Sequence, residues 1–172
     1  MKPDLLFDFT VDKENKRIHV AREFAADLKL VWNAWITPEL LEKWWAPKPW
    51  VVETKSMVFT EGGHWLYAMV SPEGEKHWSH VSYINIEDEK SFTAKDGFSD
   101  EHGTINPHFP QNVWEHHFST NDGHTLVNIQ LTFDSLEDLE KLIEMGFKEG
   151  FSMGLNQLDD LLVTYKKEKH EK

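Results

Sequence analysis

From Trp50 to about Phe133 the chain reads as strand after strand, and one long amphipathic helix follows. This order constrains the fold more than any single motif. In the last strand Val127, Ile129, Leu131 and Phe133 fall on one face, and Leu126, Asn128, Gln130 and Thr132 on the other. Such alternation marks a sheet with one buried and one wet face. The helix, from about Gly146 to Lys167, carries Phe147, Phe151, Leu155, Leu158, Leu161, Leu162 and Tyr165 at helical period. A curved antiparallel sheet has to cover its apolar face, and one long helix laid across it does so. Where the helix stands off the sheet, an aromatic-lined cavity can remain.

The segments before and between these elements agree. Arg17 to Phe24 alternates as a half-buried strand does, with Ile18, Val20 and Phe24 on one face and a break near Ala21–Arg22. Asp27 is placed to cap a helix to about Ile36, whose apolar stripe is Leu28, Val31, Trp32 and Trp35. Thr37-Pro38 starts a second short helix to Trp45, because proline suits the first helical turn, and Pro47 and Pro49 end it. Strands are expected at 51–59, 64–70, 77–86, 91–95, 112–120 and 125–133, with turns at Glu61-Gly62-Gly63, Ser71-Pro72-Glu73-Gly74, Glu87-Asp88-Glu89 and Asn121-Asp122-Gly123. Residues 96–110 read as a long polar loop, and Ser135 as the cap of a helix to about Glu144. Gly146, Gly150 and Gly154, four apart, line one side of the long helix at its start. Glycine costs about 1 kcal/mol there relative to alanine. Two readings stand: close approach of another element or a ligand, or a loose start or kink. The charge run Lys166 to Lys172 reads as a solvated helix end.

Composition excludes several classes. The 172 residues suit one domain, 1–172, and carry a formal charge of −12. That acid excess argues against nucleic acid and anionic membrane surfaces, which are bound through clustered Lys and Arg. With no Cys there is no disulfide scaffold, thiolate nucleophile or Cys-ligated metal. The opening residues, broken by Asp4 and Asp8, do not form a signal peptide, and no window has the roughly 18 apolar residues of a spanning helix. A cytoplasmic location is the expectation.

Eight Trp, eleven Phe and ten His make the chemistry worth weighing. His77 with His80, and His116 with His117, look like ligand pairs, but on a strand their spacings point them to opposite faces, so no metal is expected. His80 and His116, in register with Trp78 and Trp114, are the candidates for a cavity base or hydrogen-bond partner. Among the carboxylates, Glu53, Glu115 and Asp96 lie on or beside strands, with no sign of which face they take. The nucleophile elbow, the phosphate-binding loop and the dinucleotide fingerprint are all absent, so no motif argues for an enzyme and no cofactor is expected. The candidate ligand-binding set is Trp32, Trp65, Trp78, His80, Tyr83, Trp114, His116, Phe147 and Phe151, with Asn128 as a further polar anchor. Trp44, Trp45 and Trp50 are candidates for the rim or for an exposed patch. The alternative is that these aromatics simply fill a core.

Arg22-Glu23-Phe24, Val31-Trp32-Asn33-Ala34-Trp35, Pro38-Glu39-Leu40-Leu41 and Trp44-Trp45-Ala46-Pro47 resemble the opening of proteins like the activator of heat-shock protein 90 ATPase. Glu61-Gly62-Gly63-His64-Trp65, Ser71 to Gly74, Tyr83 with Ile86, Phe98 to Gly103, and Gly146 to Leu162 continue the likeness in order, over about 17–165. Trp45-Ala46 stands where that family often has Trp-Gly, and Gly150-Phe151 where it often has Gly-Trp. The resemblance implies an α+β, helix-grip (START-like) fold: a curved antiparallel sheet wrapped on a long C-terminal helix, with two short helices after the first strand. The fold does not fix the function, and three readings stand, the first of them resting on the aromatics. They are binding of a small hydrophobic or amphipathic molecule, a co-chaperone interaction module, and a cyclase-type enzyme using His80 or His116.

Overall fold

The structure, a computed structural model, describes residues 5–171, with side chains described through residue 165. The charge run at 166–172, as far as its side chains go, lies outside the described residues. Eight strands form a single antiparallel sheet in the order β1-β2-β8-β7-β6-β5-β4-β3. They are β1 (Phe7–Asp12), β2 (Arg17–Phe24), β3 (Val51–Val58), β4 (His64–Val70), β5 (Lys76–Glu87), β6 (Ser91–Ser99), β7 (Gln111–Asn121) and β8 (His124–Phe133). Two short helices, α1 (Leu28–Ile36) and α2 (Pro38–Trp44), lie between β2 and β3. After β8 come α3 (Leu136–Glu144) and the long α4 (Phe147–Glu171).

The local signals act as expected. The Asp27 carboxylate accepts from Leu30 N at 2.9 Å, capping α1. Ser135 Oγ accepts from Asp138 N at 3.1 Å, capping α3. Every second residue of β8 from Thr125 to Phe133 is buried, so alternation alone predicts its face. Ile18, Val20, Val31, Ile129, Leu131, Leu155 and Leu158 are fully buried and form the contact between sheet and helices.

Two segments differ from expectation. Residues 7–12 form an additional strand, paired with β2 from Phe7↔Arg22 to Asp12↔Arg17. Aspartates at both ends disguise it, but Phe9 and Val11 alternate between them and pack on the core. β6 also runs on to Ser99 rather than ending at Lys95, so Asp96 stands on a strand instead of opening a loop. Asp and Gly are depleted in strands, which hides the extension. Gly97 sits in close quarters there: a Cβ would meet Gln111 Cγ and Ile105 Cδ1, each at 3.1 Å. Ile105 comes from the following loop, bridged to Ser99.

The glycine triad resolves into unlike roles. Gly146 has φ +91°, so it breaks α3 from α4 rather than belonging to the helix. At Gly154 a Cβ would lie 3.2 Å from Trp44 O and 3.4 Å from Trp45 O, a true close approach. A Cβ at Gly150 would make only an ordinary contact with Pro47 Cγ, at 3.8 Å.

Candidate functional site: an aromatic cavity under the long helix

Antiparallel pairing puts facing residues on the same side of a sheet. One inner row therefore runs Trp65, Val81, Asp96, Asn112 and Phe133. The next runs Tyr83, Ala94, Trp114 and Leu131. Tyr67, Ser79 and Phe98 make a third. Helices α2 and α4 roof these rows, and two cavities remain below them.

The larger, about 410 Å³, is lined by Trp45, Trp50, Tyr67, Met69, Asp96, Phe98, Trp114, Leu142, Phe147 and Phe151, among others. The smaller, about 30 Å³, lies deeper among Trp35, Trp65, Tyr83, Phe92, Asp96, Trp114 and His116. It has room for a water molecule or two. Trp45, Asp96 and Trp114 border both. The aromatic walls brace one another. Trp114 meets Phe151 edge-to-face at 5.5 Å and Phe147 at 5.8 Å, and Phe147 stacks on Phe151 at 5.3 Å. Two indole N–H groups on the walls are already committed, Trp45 Nε1 donating to Tyr67 Oη at 2.9 Å and Trp114 Nε1 to Asn112 Oδ1 at 2.8 Å.

Asp96 is the carboxylate of this site. Its Oδ1 is enclosed without a hydrogen-bond partner, although the residue keeps some exposed surface at the cavity walls. Burial pushes its pKa up to about 7. The Gly97 N–H and the neighbouring Trp114 indole oppose that shift only in part, the indole proton being aimed at Asn112. Burial, and then the nearby Asp96 charge, also raise the phenols of Tyr67 and Tyr83, which stay neutral donors. His116 is pushed down to about 3 by burial, so it is a neutral imidazole. It stacks on Phe92 at 4.0 Å, and its Nδ1 has no partner.

Of the candidate residues, Trp65, Tyr83, Trp114, His116, Phe147 and Phe151 converge on the cavities. Trp32 does not. It is 2% exposed and packed edge-on against Phe59, Phe92 and Phe118, deep in the core. Trp78 and His80 are corrections. On β5 the buried positions are Ser79, Val81 and Tyr83, so Trp78 and His80 point out of the other face. There Trp78 lies between the Lys55 and Lys76 ammonium groups, and His80 stacks on His64 under Gly103. Tyr83 and His80 differ by an odd number of residues and were never able to share a face. Asn128 is on the outer face too, since Val127 and Ile129 hold the inner one.

The histidine pairs split as strand geometry requires: His77 lines the larger cavity while His80 faces out, and His116 is buried while His117 is exposed. Among the described residues no three His, Asp or Glu come together to hold a metal. Of the rim tryptophans, Trp45 and Trp50 line the cavity, while Trp44 is 1% exposed in the core and donates to Ala34 O at 2.9 Å. Glu53 faces solvent beside Lys76, and Glu115 bonds Gln130 on the outer face. Tyr67, Asn112, Met69 and Leu142 are among the wall residues not singled out from sequence. Tyr67 was within reach, two residues from Trp65 on one strand.

The family described as "Activator of Hsp90 ATPase homolog 1-like protein" matches residues 25–163. The chain belongs to it. Similar solved structures carry the same helix-grip, START-like architecture. One is a protein from Arthrobacter aurescens, 32% identical, with 91% of each chain covered and a TM-score of 0.86. Another is from Mycobacterium smegmatis, 30% identical, covering 92% of this chain and 96% of that one, with a TM-score of 0.84. A third, from Nitrosomonas europaea, is 25% identical over 89% of this chain and 97% of its own, with a TM-score of 0.78. No curated protein matches. Among the described residues of this family member, no helix is long and apolar enough to cross a membrane.

Proposed function

We propose that this protein binds a small hydrophobic or amphipathic molecule between the sheet and α4. The observation that carries this reading is the cavity of about 410 Å³, walled by Trp45, Trp50, Trp114, Phe147 and Phe151 with few polar groups. Ligand sites usually occupy roughly 300–1,000 Å³, mostly apolar with a few placed polar groups. The deciding experiment fills the space. An apolar probe such as 1-anilinonaphthalene-8-sulfonate or a phenylalkyl compound is titrated while tryptophan emission is followed. Trp45 and Trp114 on the walls are expected to report binding. Phe151→Trp, which adds volume from the roof, is expected to abolish binding and keep the fold. A wild-type chain that binds no member of a hydrophobic library removes the reading.

The family match supports a second reading, an interaction module for a chaperone ATPase. It predicts co-purification with that chaperone, unaffected by Phe151→Trp, because an outer surface rather than the cavity would be used.

A further inference from the structure

An apolar pocket large enough for a ligand leaves its polar end to be specified, and the walls here are one-sided in charge. Among the described residues, neither cavity is lined by Lys or Arg. An anionic head, such as a fatty-acid carboxylate, would be desolvated there with no cation to meet it, which is costly. The one carboxylate is Asp96, at the junction of the two cavities, with Oδ1 enclosed and unpartnered. A buried acceptor without a partner is expensive, and a donor supplied by a ligand would satisfy it. Trp45, Trp65, Tyr67 and Trp114 line the same cavities as Asp96. Rings of this kind attract cations. The indole N–H groups of Trp45 and Trp114 donate to Tyr67 Oη and Asn112 Oδ1, and Asp96 Oδ1 is left without a hydrogen-bond partner.

Resting on the reading of the cavity as a ligand site, we infer that the molecule it takes carries a basic nitrogen. The apolar body lies among Phe147, Phe151 and Trp50, and the ammonium group is held by Asp96 within the indole walls. The nearly neutral pKa of the free carboxyl fits this arrangement, since an incoming ammonium favours its ionised form.

The other titratable groups facing the cavities are Tyr67 on β4, His77 and Tyr83 on β5, and His116 on β7. The two phenols and His116 are held neutral by burial. Asp96, with its pKa near 7, is the wall carboxyl that a mild pH change recharges, and His77→Gln serves as a control background for the other imidazole on the wall.

The test is a matched series of 4-phenylbutylamine, 4-phenylbutanol and 4-phenylbutyrate, titrated by calorimetry at about pH 8. The wild-type chain and Asp96→Asn are compared, with circular dichroism verifying the fold. The amine is expected to bind at least about tenfold tighter than the alcohol, as for a hydrogen bond to a charged group. The carboxylate is expected to bind weakest. Asp96→Asn brings amine and alcohol within about threefold of each other and leaves the alcohol unchanged. Lowering the pH to about 5 in the His77→Gln background also removes the amine preference, because Asp96 is then protonated. That arm decides the matter if Asp96→Asn fails to fold. A carboxylate that binds as well as the amine overturns the inference, as does an amine preference that survives Asp96→Asn or the pH change. In those outcomes the alcohol still binds, and the cavity reading stands. If none of the three binds, the cavity reading fails and takes the inference with it.

Discussion

The two ends of the interior are built from the same residue types and filled differently. At one end Trp32 is wedged among Phe59, Phe92 and Phe118, with ring centroids 5.0–5.9 Å away, and Trp32 lines neither cavity. At the other, Trp45, Trp114, Phe147 and Phe151 meet at similar spacings yet surround about 410 Å³. Aromatic content therefore does not decide whether a region is core or cavity. The roof does. Helix α1 sets Trp32 straight onto the sheet. The first turn of α4 instead has Gly150 beside Pro47, where a side chain would have reached into the gap. The difference teaches that a hollow can come from where a helix starts and which small residues it starts with.

Trp32→Ala attacks the solid end and should have the largest effect, a loss of about 3–5 kcal/mol in chemical denaturation. Ligand binding by whatever remains folded is expected to change little, since Trp32 touches neither cavity. A cost below about 1 kcal/mol would show that this end is not the solid one.

The hollow end should show itself through pH. Between about pH 4 and 7 Asp96 is ionised in the unfolded chain and protonated in the fold, whose pKa is about 7. Raising the pH through that window therefore weakens the fold, by up to about 1.4 kcal/mol per pH unit. His116 works in the opposite sense. Its folded pKa of about 3 leaves it neutral while the unfolded chain protonates below about pH 6.5, so acidification weakens the fold. The two windows overlap, so the slopes oppose each other between about pH 4 and 6.5, and Asp96→Asn is expected to expose the His116 slope, with melts showing stability that rises with pH across that range. A pH profile unchanged by Asp96→Asn would contradict the burial of Asp96.

The glycines sharpen the contrast further. Gly154→Ala is expected to destabilise by about 1 kcal/mol, because its Cβ meets the Trp44 carbonyl at 3.2 Å and outweighs the helix-propensity gain. Gly150→Ala should be neutral or stabilising by up to about 1 kcal/mol, since its Cβ makes only an ordinary contact with Pro47 Cγ at 3.8 Å. Equal effects at the two positions would erase the distinction between closed and open roof. Least consequential is Trp78→Ala on the outer face, expected to cost about 0.5 kcal/mol or less and to leave cavity binding untouched.

Much of this architecture was legible because period and punctuation are local. β8 and the caps Asp27 and Ser135 follow from alternation and from residue types that bond their own backbone. β4, bounded by Gly63 and Pro72, reads correctly for the same reason. Face assignments failed where the phase of a strand was taken from a neighbouring tryptophan rather than from its aliphatic residues. Val81 sets the phase of β5, and it sends Trp78 and His80 outward. Asp96 was obscured twice, by looking like a loop residue and by lying inside a strand whose inner phase is visible only from Phe92 and Ala94. The cavity itself depends on how far α4 stands from the sheet, a quantity that no local pattern encodes.

Gln157, midway along α4, has an influence beyond its own position. Its Nε2 donates to Trp44 O at 2.9 Å and Ala46 O at 2.8 Å, and its Oε1 accepts from Lys48 N at 2.9 Å. One amide thus ties down three backbone groups of the segment that presents Trp45, Pro47 and Trp50. That wall is tethered to α4 by a single side chain, while α3 joins the helix through the left-handed Gly146. Leu142 and Met145 on the α3 side, which also line the cavity, are not held by that amide.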